Sequence, residues 1–272
     1  MNEKRRPDRD QRPRRADRFA DRTPAEEVEG QLEGRNAIQE ALKSGRTIDK
    51  IFIASGEVDR GLQRLAAQAQ EAGAVVVPVD RRKLDAMSTT RAHQGIIALA
   101  AAHTYCTIDE ILQEAEDRQE APLIVVCDEL SDPHNLGAIL RSAECAGAHG
   151  VIIPKRRSVG LTATVAKASA GAIEYMKVAR VTNISSAIAE LKEKGVWVYG
   201  TAAEGSIPMY QADLKGPAAI VIGNEGDGIS QLVRKNCDVM VNIPMKGRIS
   251  SLNASAAASL LLYEAVRQRL GD

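Results

Sequence analysis

The stretch Gly-Asn-Glu-Gly-Asp-Gly at residues 223–228 (the second block) follows directly on the apolar run 218–222. Another apolar run, 239–243, ends as abruptly at Ile-Pro-Met, with Ser-Leu-Asn at 251–253; residues 243–255 form the third block. Short apolar runs that stop at Gly, Asn or Pro before a helix-like segment are typical of buried parallel strands. Because ligands bind at the carboxyl ends of such strands, these loops predict a site formed largely by main chain.

The first block, Asp-Pro-His-Asn-Leu-Gly-Ala-Ile-Leu-Arg at residues 132–141, follows the apolar run 123–127. Asp132 with Pro133 behind it predicts a helix N-cap and the first helical residue, and Asn135 is the alternative cap. Arg141 lies off the apolar stripe, so a capped core helix with one solvated Arg explains this block taken alone. The predicted buried stripe consists of Leu136, Ile139, Leu140 and Ala143.

Apolar runs alternate with helical patterns throughout residues 122–272, which predicts an α/β domain with a parallel sheet covered on both faces. The predicted strands are 123–127, 151–153, 174–178, 196–199, 218–222 and 239–243. The predicted helices lie near 135–146, 162–171, 184–194, 228–235 and 253–269.

A smaller α/β domain is predicted over residues 28–103. Its pattern gives helix 30–45, strand 51–54, helix 58–72, strand 74–79, helix 81–87 and strand 95–101. Residues 104–121 are acidic and are closed by Pro122, which favours a linker between the two domains. Ile108, Ile111 and Leu112 within it are apolar enough to dock a helical turn.

The N-terminal residues 1–27 differ in composition from the rest of the chain. Residues 1–22 contain nine Lys or Arg and five acids, although the formal net charge of the 272-residue chain is zero. Low hydrophobicity and repeated Pro predict a disordered, Arg-rich arm. Such an arm attracts phosphate without reading sequence, or serves only as a solvating tail.

Several functional classes fit the composition poorly. No apolar run approaches the roughly 20 residues that span a bilayer, and no signal peptide is evident, so we expect a cytoplasmic protein. An aromatic content of 3% argues against recognition of bases by stacking. The four Cys show no CxxC spacing and the His are scattered, so we expect no metal. Cys127 and Cys145 lie in predicted core elements.

Two of the blocks have structural explanations that involve no ligand. The second block reads GxxGxG after the fifth strand of its domain, unlike a dinucleotide fingerprint, and it has no GK[ST] of a phosphate loop. A Gly-rich turn therefore explains it when taken alone. For the third block, the corresponding explanation is a helix capped by Ser251 or Asn253 and rich in Ala.

The three blocks, in this order and within about 130 residues, resemble the SpoU/TrmH branch of the SPOUT superfamily, the RNA 2′-O-ribose methyltransferases. The resemblance is strongest to the type that methylates a guanosine of 23S rRNA. It implies S-adenosylmethionine (SAM) as the cofactor, RNA as the substrate, a homodimer, and a trefoil knot in the parallel-sheet domain. It also implies that residues 28–103 form a substrate-binding domain similar to ribosomal protein L30e.

The resemblance also assigns candidate site residues. Asn135 and Arg141 would hold the ribose-phosphate and assist attack by the 2′-hydroxyl, with Glu225, Ser251 and Asn253 as further polar active-site groups. Ser250 and Ala254 depart from the Glu and Val that many family members carry at these positions. The expected cofactor-binding residues are Gly223, Ile243, Leu252, Thr201, Ala202, Asn224 and Met245.

Methyl transfer to a ribose oxygen requires that the oxygen lose much of its proton. A guanidinium holds its own proton too tightly to be an ordinary base, which favours Arg141 as an electrostatic stabiliser of the developing alkoxide. Proton removal by a neutral Arg141 remains the alternative and would need a strongly desolvated pocket. Glu144 is a candidate i,i+3 partner of Arg141.

The candidate RNA contacts of the N-terminal domain are Arg35, Lys50, Arg91 and Gln94, each of which is equally explained as a solvated surface residue. Two other functions stay open at this point. One is a tRNA ribose methyltransferase, which commonly lacks a separate N-terminal domain of this kind. The other is a catalytically silent RNA-binding or ribosome-assembly protein, against which the complete polar set argues.

Overall fold

The computed structural model describes residues 30–56, 59–202, 206–224 and 226–271. The predicted arm at 1–27 and Glu225 lie outside the described residues. Within the described part, the chain forms a four-stranded sheet and a seven-stranded sheet.

The N-terminal sheet has the strand order β1-β4-β2-β3, with β2 and β3 parallel and β4 antiparallel to both β1 and β2. Its strands are β1 (Gln31–Glu33), β2 (Ile48–Ala54), β3 (Val75–Val79) and β4 (Ile96–Ala100). Its helices are α1 (Arg35–Lys43), α2 (Arg60–Glu71) and α3 (Arg81–Met87). The predicted helix 30–45 was wrong at its start, because residues 31–33 pair with β4 and Gly34, with φ +83°, separates them from α1.

The two faces of this sheet bury different helices. Ile51 and Ile53 of β2 pack in one core with α1 and α2, which contribute Ile38, Leu62 and Leu65. On the other face, a smaller cluster joins Phe52 to Leu84 of α3. The alternation of side chains along β2 therefore places one helical layer on each side.

The C-terminal sheet has the order β7-β6-β5-β10-β8-β11-β9, and every neighbouring pair is parallel. This confirms the predicted α/β class with a parallel sheet. The strands are β5 (Leu123–Cys127), β6 (Gly150–Pro154), β7 (Val178–Val181), β8 (Trp197–Thr201), β9 (Ile207–Pro208), β10 (Ala218–Ile222) and β11 (Val239–Asn242). The helices are α4 (Ile108–Asp117), α5 (Pro133–Cys145), α6 (Ala163–Ala168), α7 (Ile184–Glu193), α8 (Gln231–Asn236) and α9 (Ala254–Arg269).

Both faces of this sheet are covered, as its apolar strands predict. Val125 of β5 faces a core that includes side chains of α5, α6 and α9. Its neighbour Val126 faces a core that includes side chains of α4, α7 and α8. All five residues of β5 are buried as a result.

The predicted strand 174–178 is wrong in position. Residues 172–174 form a single 3₁₀ turn, and the strand begins only at Val178. Ile173 and Met176 are buried in the core, whereas Tyr175 is 77% exposed, so this apolar stretch packs as a turn. The short strand β9 was not predicted.

The acidic segment 104–121, predicted to be a linker, contains helix α4. Thr107 and Glu110 form a capping box at its start, which satisfies the first free amides of the helix. Ile108, Ile111 and Ala115 are buried, and Ile111 occupies the space beside Gly150 that a side chain at position 150 would need. The segment thus packs on the C-terminal sheet, while the division of the chain into domains remains a prediction.

A buried ion pair joins the two sheets. Arg180 of β7 lies 2.7 Å from the Asp49 carboxylate of β2, and their side chains are only 7% and 8% exposed. The Tyr105 hydroxyl donates to Asp49 at 2.8 Å and accepts from the Leu161 amide at 2.8 Å. A Cβ at Gly160 would lie 2.2 Å from the Asp49 carboxylate. These contacts fix how one sheet lies against the other.

Replacing Arg180 with Met should destabilise the protein strongly, because Asp49 would remain buried without its cation. Loss of one partner of a buried pair costs about 3–5 kcal/mol, whereas replacing both partners with apolar residues costs less. The free energy of unfolding in urea should therefore fall more for Arg180→Met than for the double variant Asp49→Leu/Arg180→Met. Lys43→Met, which breaks an exposed pair with Glu40, is the control. Equal losses for Arg180→Met and Lys43→Met would contradict the assignment.

Candidate active site

The three blocks meet where the strands of the C-terminal sheet end. The term edge is used below for this row of carboxyl ends and not for an outermost strand. Strands β5, β10, β8 and β11 are consecutive in the sheet and parallel, so their carboxyl ends lie side by side. The first block follows β5, the second follows β10 and the third follows β11. Strand β8 lies between β10 and β11 and brings Thr201 to the same edge.

A cleft of about 340 Å³ opens at this edge, within the range of small-molecule sites. Its lining combines main chain and small side chains with two partly exposed apolar side chains, Met245 (39% exposed) and Leu252 (38% exposed). The lining residues are Thr201, Ala202, Val241, Asn242, Ile243, Met245, Ser250, Ser251, Leu252 and Ala257. Most of the predicted cofactor-binding residues therefore lie together, whereas Gly223 and Asn224 do not line the cleft.

The second block folds back tightly on itself. A Cβ at Gly223 would lie 2.1 Å from the backbone of Gly228, so position 223 has room only for glycine. The backbones of Asn224 and Gly228 exchange two hydrogen bonds, of 3.2 and 3.1 Å. The Asn224 side chain accepts from the amides of Gly226 and Asp227 at 2.9 and 2.7 Å, so its oxygen closes the loop.

The first and third blocks are joined by their asparagines. Asn135 is 6% exposed, and the Asn253 side-chain amide donates to its oxygen at 2.9 Å. The Asn253 oxygen accepts from the amides of Ser255 and Ala256, so Asn253 and not Ser251 caps α9. These contacts hold two predicted active-site residues that are 118 positions apart in sequence.

Helix α5 presents Arg141 to solvent. Asp132 accepts from the His134 amide and caps the helix, so Asn135 is not the cap. The Arg141 side chain is exposed and makes no hydrogen bond or ion pair with any residue the structure describes, and the expected pair with Glu144 does not form. Arg141 also does not line the cleft. The predicted core position of Cys145 was wrong, because it lies four residues after Arg141 on the same exposed side.

Two of the predicted RNA contacts, at the start of α1 and in the loop before β4, lie together. The Gln94 side chain accepts from the Arg35 amide at 3.1 Å, and Arg35 pairs with Asp59 at 3.0 Å. The hydrogen bond from Arg35 lowers the pKa of the Asp59 carboxyl. Arg35 and Gln94 line a cavity of about 500 Å³ together with Arg81, a cation that was not predicted as an RNA contact although it follows the N-cap Asp80.

The other two predicted RNA contacts are placed differently. Arg91 is exposed in the loop that leads to Gln94 and has φ +58°. Lys50 does not line that cavity, and its ammonium lies 5.9 Å from the centre of the Phe52 ring. Arg91 therefore shares a loop with Gln94, whereas Lys50 lies on β2 and outside that cavity.

Glu33 anchors the loop that carries Arg91 and Gln94. Its carboxylate accepts from the Ser88 hydroxyl at 2.6 Å, and from the amide and hydroxyl of Thr89 at 2.7 and 2.8 Å. Thr90 donates to it as well. Burial favours a raised pKa for Glu33, but these hydrogen bonds outweigh it and hold the pKa well below its usual value.

Other kinds of site receive no support from the described residues. They contain no group of three or more His, Cys, Asp or Glu that could hold a metal ion. None of the helices described is long and apolar enough to cross a membrane. All four Cys are free thiols, and burial raises the pKa of Cys127 to about 12, so this thiol behaves as a core residue.

Comparison with known proteins identifies the family. The sequence profile of the SpoU rRNA Methylase family matches residues 122–263, and the profile for RNA 2′-O ribose methyltransferase substrate binding matches residues 31–106. The Bacillus subtilis (strain 168) protein YacO is named for the TrmH family of tRNA/rRNA methyltransferases. It is 48% identical over 236 residues, which cover 87% of this chain and 94% of YacO.

Solved structures agree with these matches. The SpoU methyltransferase AviRb from Streptomyces viridochromogenes, in complex with AdoMet, is 26% identical with a TM-score of 0.57, covering 89% of this chain and 91% of AviRb. An AdoMet-bound rRNA methyltransferase from Sinorhizobium meliloti is 26% identical with a TM-score of 0.55, covering 87% and 86%. A TrmH/SpoU tRNA modifying enzyme from A. aeolicus is 27% identical with a TM-score of 0.51, covering 60% of this chain and 84% of that enzyme.

The chain therefore belongs to the SpoU rRNA methylase family. This confirms the family expected from the three blocks, and with it the class of RNA ribose 2′-O-methyltransferase. The expected cofactor is confirmed at the level of the family, since two of these structural relatives hold AdoMet.

Replacing Glu33 with Gln should destabilise the protein by about 1 kcal/mol at pH 7, because a partly exposed carboxylate loses its charge-assisted hydrogen bonds. The folded pKa of Glu33 is lowered, so its contribution is full above the unfolded value of about 4.3 and is lost as pH falls below it. The difference between wild type and Glu33→Gln, measured by thermal unfolding, should therefore shrink from pH 7 to pH 3. A difference that does not change with pH would contradict this role.

Replacing Asn253 with Ala should cost about 1 kcal/mol, because α9 loses its N-cap. Asn253→Asp keeps an acceptor for the first amides of α9 and should be more stable than Asn253→Ala in urea unfolding. Ser251→Ala is the matched control, since Ser251 makes no cap hydrogen bond among the contacts described. Comparable losses for Ser251→Ala and Asn253→Ala would show that the cap has been assigned to the wrong residue.

Proposed function

We propose that this protein transfers a methyl group from SAM to a ribose 2′-hydroxyl of 23S rRNA, with a guanosine as the target. One observation carries the proposal: the cleft at the ends of β8 and β11 lies at the same sheet edge as the Asn135–Asn253 pair. The family supplies the class of reaction. The geometry supplies a place for a small molecule and, beside it, fixed polar groups for a ribose.

The cleft suits SAM in its chemistry. Its partly exposed Met245 and Leu252 would be covered by a flat apolar group such as adenine, and the backbones of Ile243 and Leu252 would serve its polar edge. Thr201 and Ala202 also line the cleft, at the end of β8. When bound, SAM supplies an electrophilic methyl group. In the neighbouring loop after β10, the backbone of Gly228 lies directly against Gly223.

The polar residues would prepare the ribose. Asn135 is held by Asn253, so its orientation is set before RNA arrives. Arg141, with no partner among the described residues, is free to bind a phosphate and to stabilise negative charge on the 2′-oxygen. Ser251 lines the cleft, and Glu225 belongs to the second block of the sequence; we propose both as further active-site groups.

A homodimer is part of the proposal. Leu260 and Tyr263 share one face of α9 and are 43% and 51% exposed. Helix α9 packs on α5, where the Ser259 and Ser142 hydroxyls lie 2.7 Å apart, next to Arg141. A second copy seated on this face would cover the apolar side chains and enclose Arg141. The resemblance also implies that the trefoil knot lies near this interface.

The N-terminal sheet would capture the RNA in the cytoplasm. We assign this role to the domain over 28–103, which we expect to be similar to L30e, because Arg35, Arg81 and Gln94 line one cavity. Arg91 shares the loop held by Glu33. The arm over 1–27 would add charge attraction to phosphate.

A tRNA substrate is the second candidate, because YacO is named for tRNA or rRNA. The AdoMet-bound rRNA methyltransferase covers 87% of this chain, whereas the A. aeolicus tRNA modifying enzyme covers 60%. The additional N-terminal sheet therefore favours rRNA. Incubation with labelled SAM and unmodified 23S rRNA or tRNA transcripts, followed by mapping of the methylated nucleotide, tests this. Label found only in tRNA would overturn the rRNA target, and label in neither would favour a silent RNA-binding protein.

Arg141→Ala should slow methyl transfer strongly, and it should leave SAM affinity nearly unchanged because Arg141 lies outside the cleft. Loss of one electrostatic stabiliser typically slows catalysis about 100-fold to 1,000-fold. The measurements are single-turnover transfer from labelled SAM and calorimetric titration of SAM. Arg118→Ala is the control, since Arg118 ends α4 and pairs only with Glu114 among the ion pairs described. Equal loss of transfer and of SAM affinity in Arg141→Ala would refute the role.

A further inference from the structure

The loop from β6 to α6, residues 155–161, carries the basic run Lys-Arg-Arg at 155–157. Strand β6 is parallel to β5 and adjacent to it, so this loop leaves the same sheet edge as the candidate active site. Lys155 is half-buried, and Arg156 and Arg157 are exposed. The run lies outside the three blocks.

The middle of the loop is fixed to the segment that precedes the first block. The Ser158 hydroxyl and the Val159 amide both donate to the Leu130 carbonyl, at 2.8 and 2.9 Å. Arg157 pairs with Glu129 at 3.0 Å. Both residues of this pair have left-handed backbones, with φ +55° and +58°, which L-residues adopt only when their surroundings impose it.

The ends of the loop are fixed to the contact between the two sheets. The Leu161 amide donates to Tyr105, and the Ala102 amide donates to the Leu161 carbonyl at 2.6 Å. Gly160 lies against the Asp49 carboxylate. At the other end, the Lys155 ammonium lies 3.7 Å from where a Cβ at Gly73 would be, in the turn between α2 and β3. The loop therefore lies between the N-terminal sheet and the active-site edge.

Arg156 is the exposed cation that this anchoring leaves available. It makes no hydrogen bond or ion pair with any residue described, while its neighbour Arg157 is held by Glu129. Because the loop backbone is already fixed, binding orders only the Arg156 side chain, and its planar donors match the oxygens of a phosphodiester. A protein side chain to neutralise Arg156 is absent from the described part of the chain.

We infer that residues 155–157 bind the RNA backbone on its way from the N-terminal sheet to the active site. Arg156 contacts a phosphate directly, Lys155 adds charge beside it, and Arg157 acts through Glu129 to position the loop. The inference rests on the proposed function, because it names how the same substrate is held.

The test compares Arg156→Ala with wild type in binding to a fluorescent 23S rRNA transcript over a series of KCl concentrations. Loss of one phosphate contact should weaken binding roughly threefold to tenfold and reduce the slope of log K against log[salt] by about 0.7–0.9. Arg156→Lys should restore most of the slope. In steady-state transfer, Arg156→Ala should raise KM for RNA while kcat and SAM affinity stay near wild type. Lys215→Ala removes an exposed cation just before β10, at the opposite sheet edge, and should change none of these values.

The possible outcomes distinguish a failure of the loop assignment from a failure of the proposed function. Wild-type affinity and salt slope in Arg156→Ala would overturn the loop assignment and leave the proposed function standing. Equal weakening by Arg156→Ala and Lys215→Ala would show general attraction to charge, and would also overturn it. If the wild-type protein neither binds the transcript nor methylates RNA, the proposed function fails and the loop assignment fails with it.

Discussion

The hydrogen-bonded parallel register of β10 between β5 and β8 is the constraint that positions the site. Ile222 is opposite Cys127, and Val221 is opposite both Val126 and Gly200, so neighbouring strands end at the same level, about one strand spacing apart. Two of the blocks and the end of β8 therefore emerge as neighbours. Strand β11, paired in turn with β8, adds the third block. The cleft follows from strand pairing and not from any single side chain.

The contact between the two sheets is a second constraint, because it fixes the position of one sheet against the other. Asp49, Tyr105 and Arg180 come from three separate segments, and their burial makes the arrangement costly to disturb. The loop 155–161 touches this cluster at one end and Leu130, next to the first block, in its middle. The region that would capture RNA and the region that would modify it are thereby held by the same short segment.

The parts of the fold that were predictable are those whose signal is local. Strands β5 and β10 have the predicted bounds because burial on both faces gives an unbroken apolar run with sharp ends. Strand β1 was not predicted because three residues are too few to show the alternation of apolar and polar side chains typical of a strand. Only its pairing with β4 defines it. The predicted strand over 174–178 misread the apolar pattern around Met176, which packs in a turn.

The same distinction applies to the site. Small and polar residues after apolar runs indicated where the cleft would form, and most of the expected cofactor residues line it. Pairs such as Asn135 with Asn253 or Asp49 with Arg180 join positions 118 and 131 residues apart. A single sequence does not predict such long-range pairs, because each of these residues alone looks like an ordinary polar residue. The basic run at 155–157 likewise gains meaning only from the contacts that fix its loop.

The contact at Gly160 limits which segments of this protein can be exchanged with those of a relative. Because Gly160 has no side chain, the Asp49 carboxylate of the other sheet can lie directly against it. A chimera that takes its first hundred residues from a relative would bring to that contact whatever side chain the relative carries at position 49. Such an exchange should succeed only when positions 49, 105, 160 and 180 are transplanted as a matched set. The same four positions can serve as a compatibility test when donors for such hybrids are chosen.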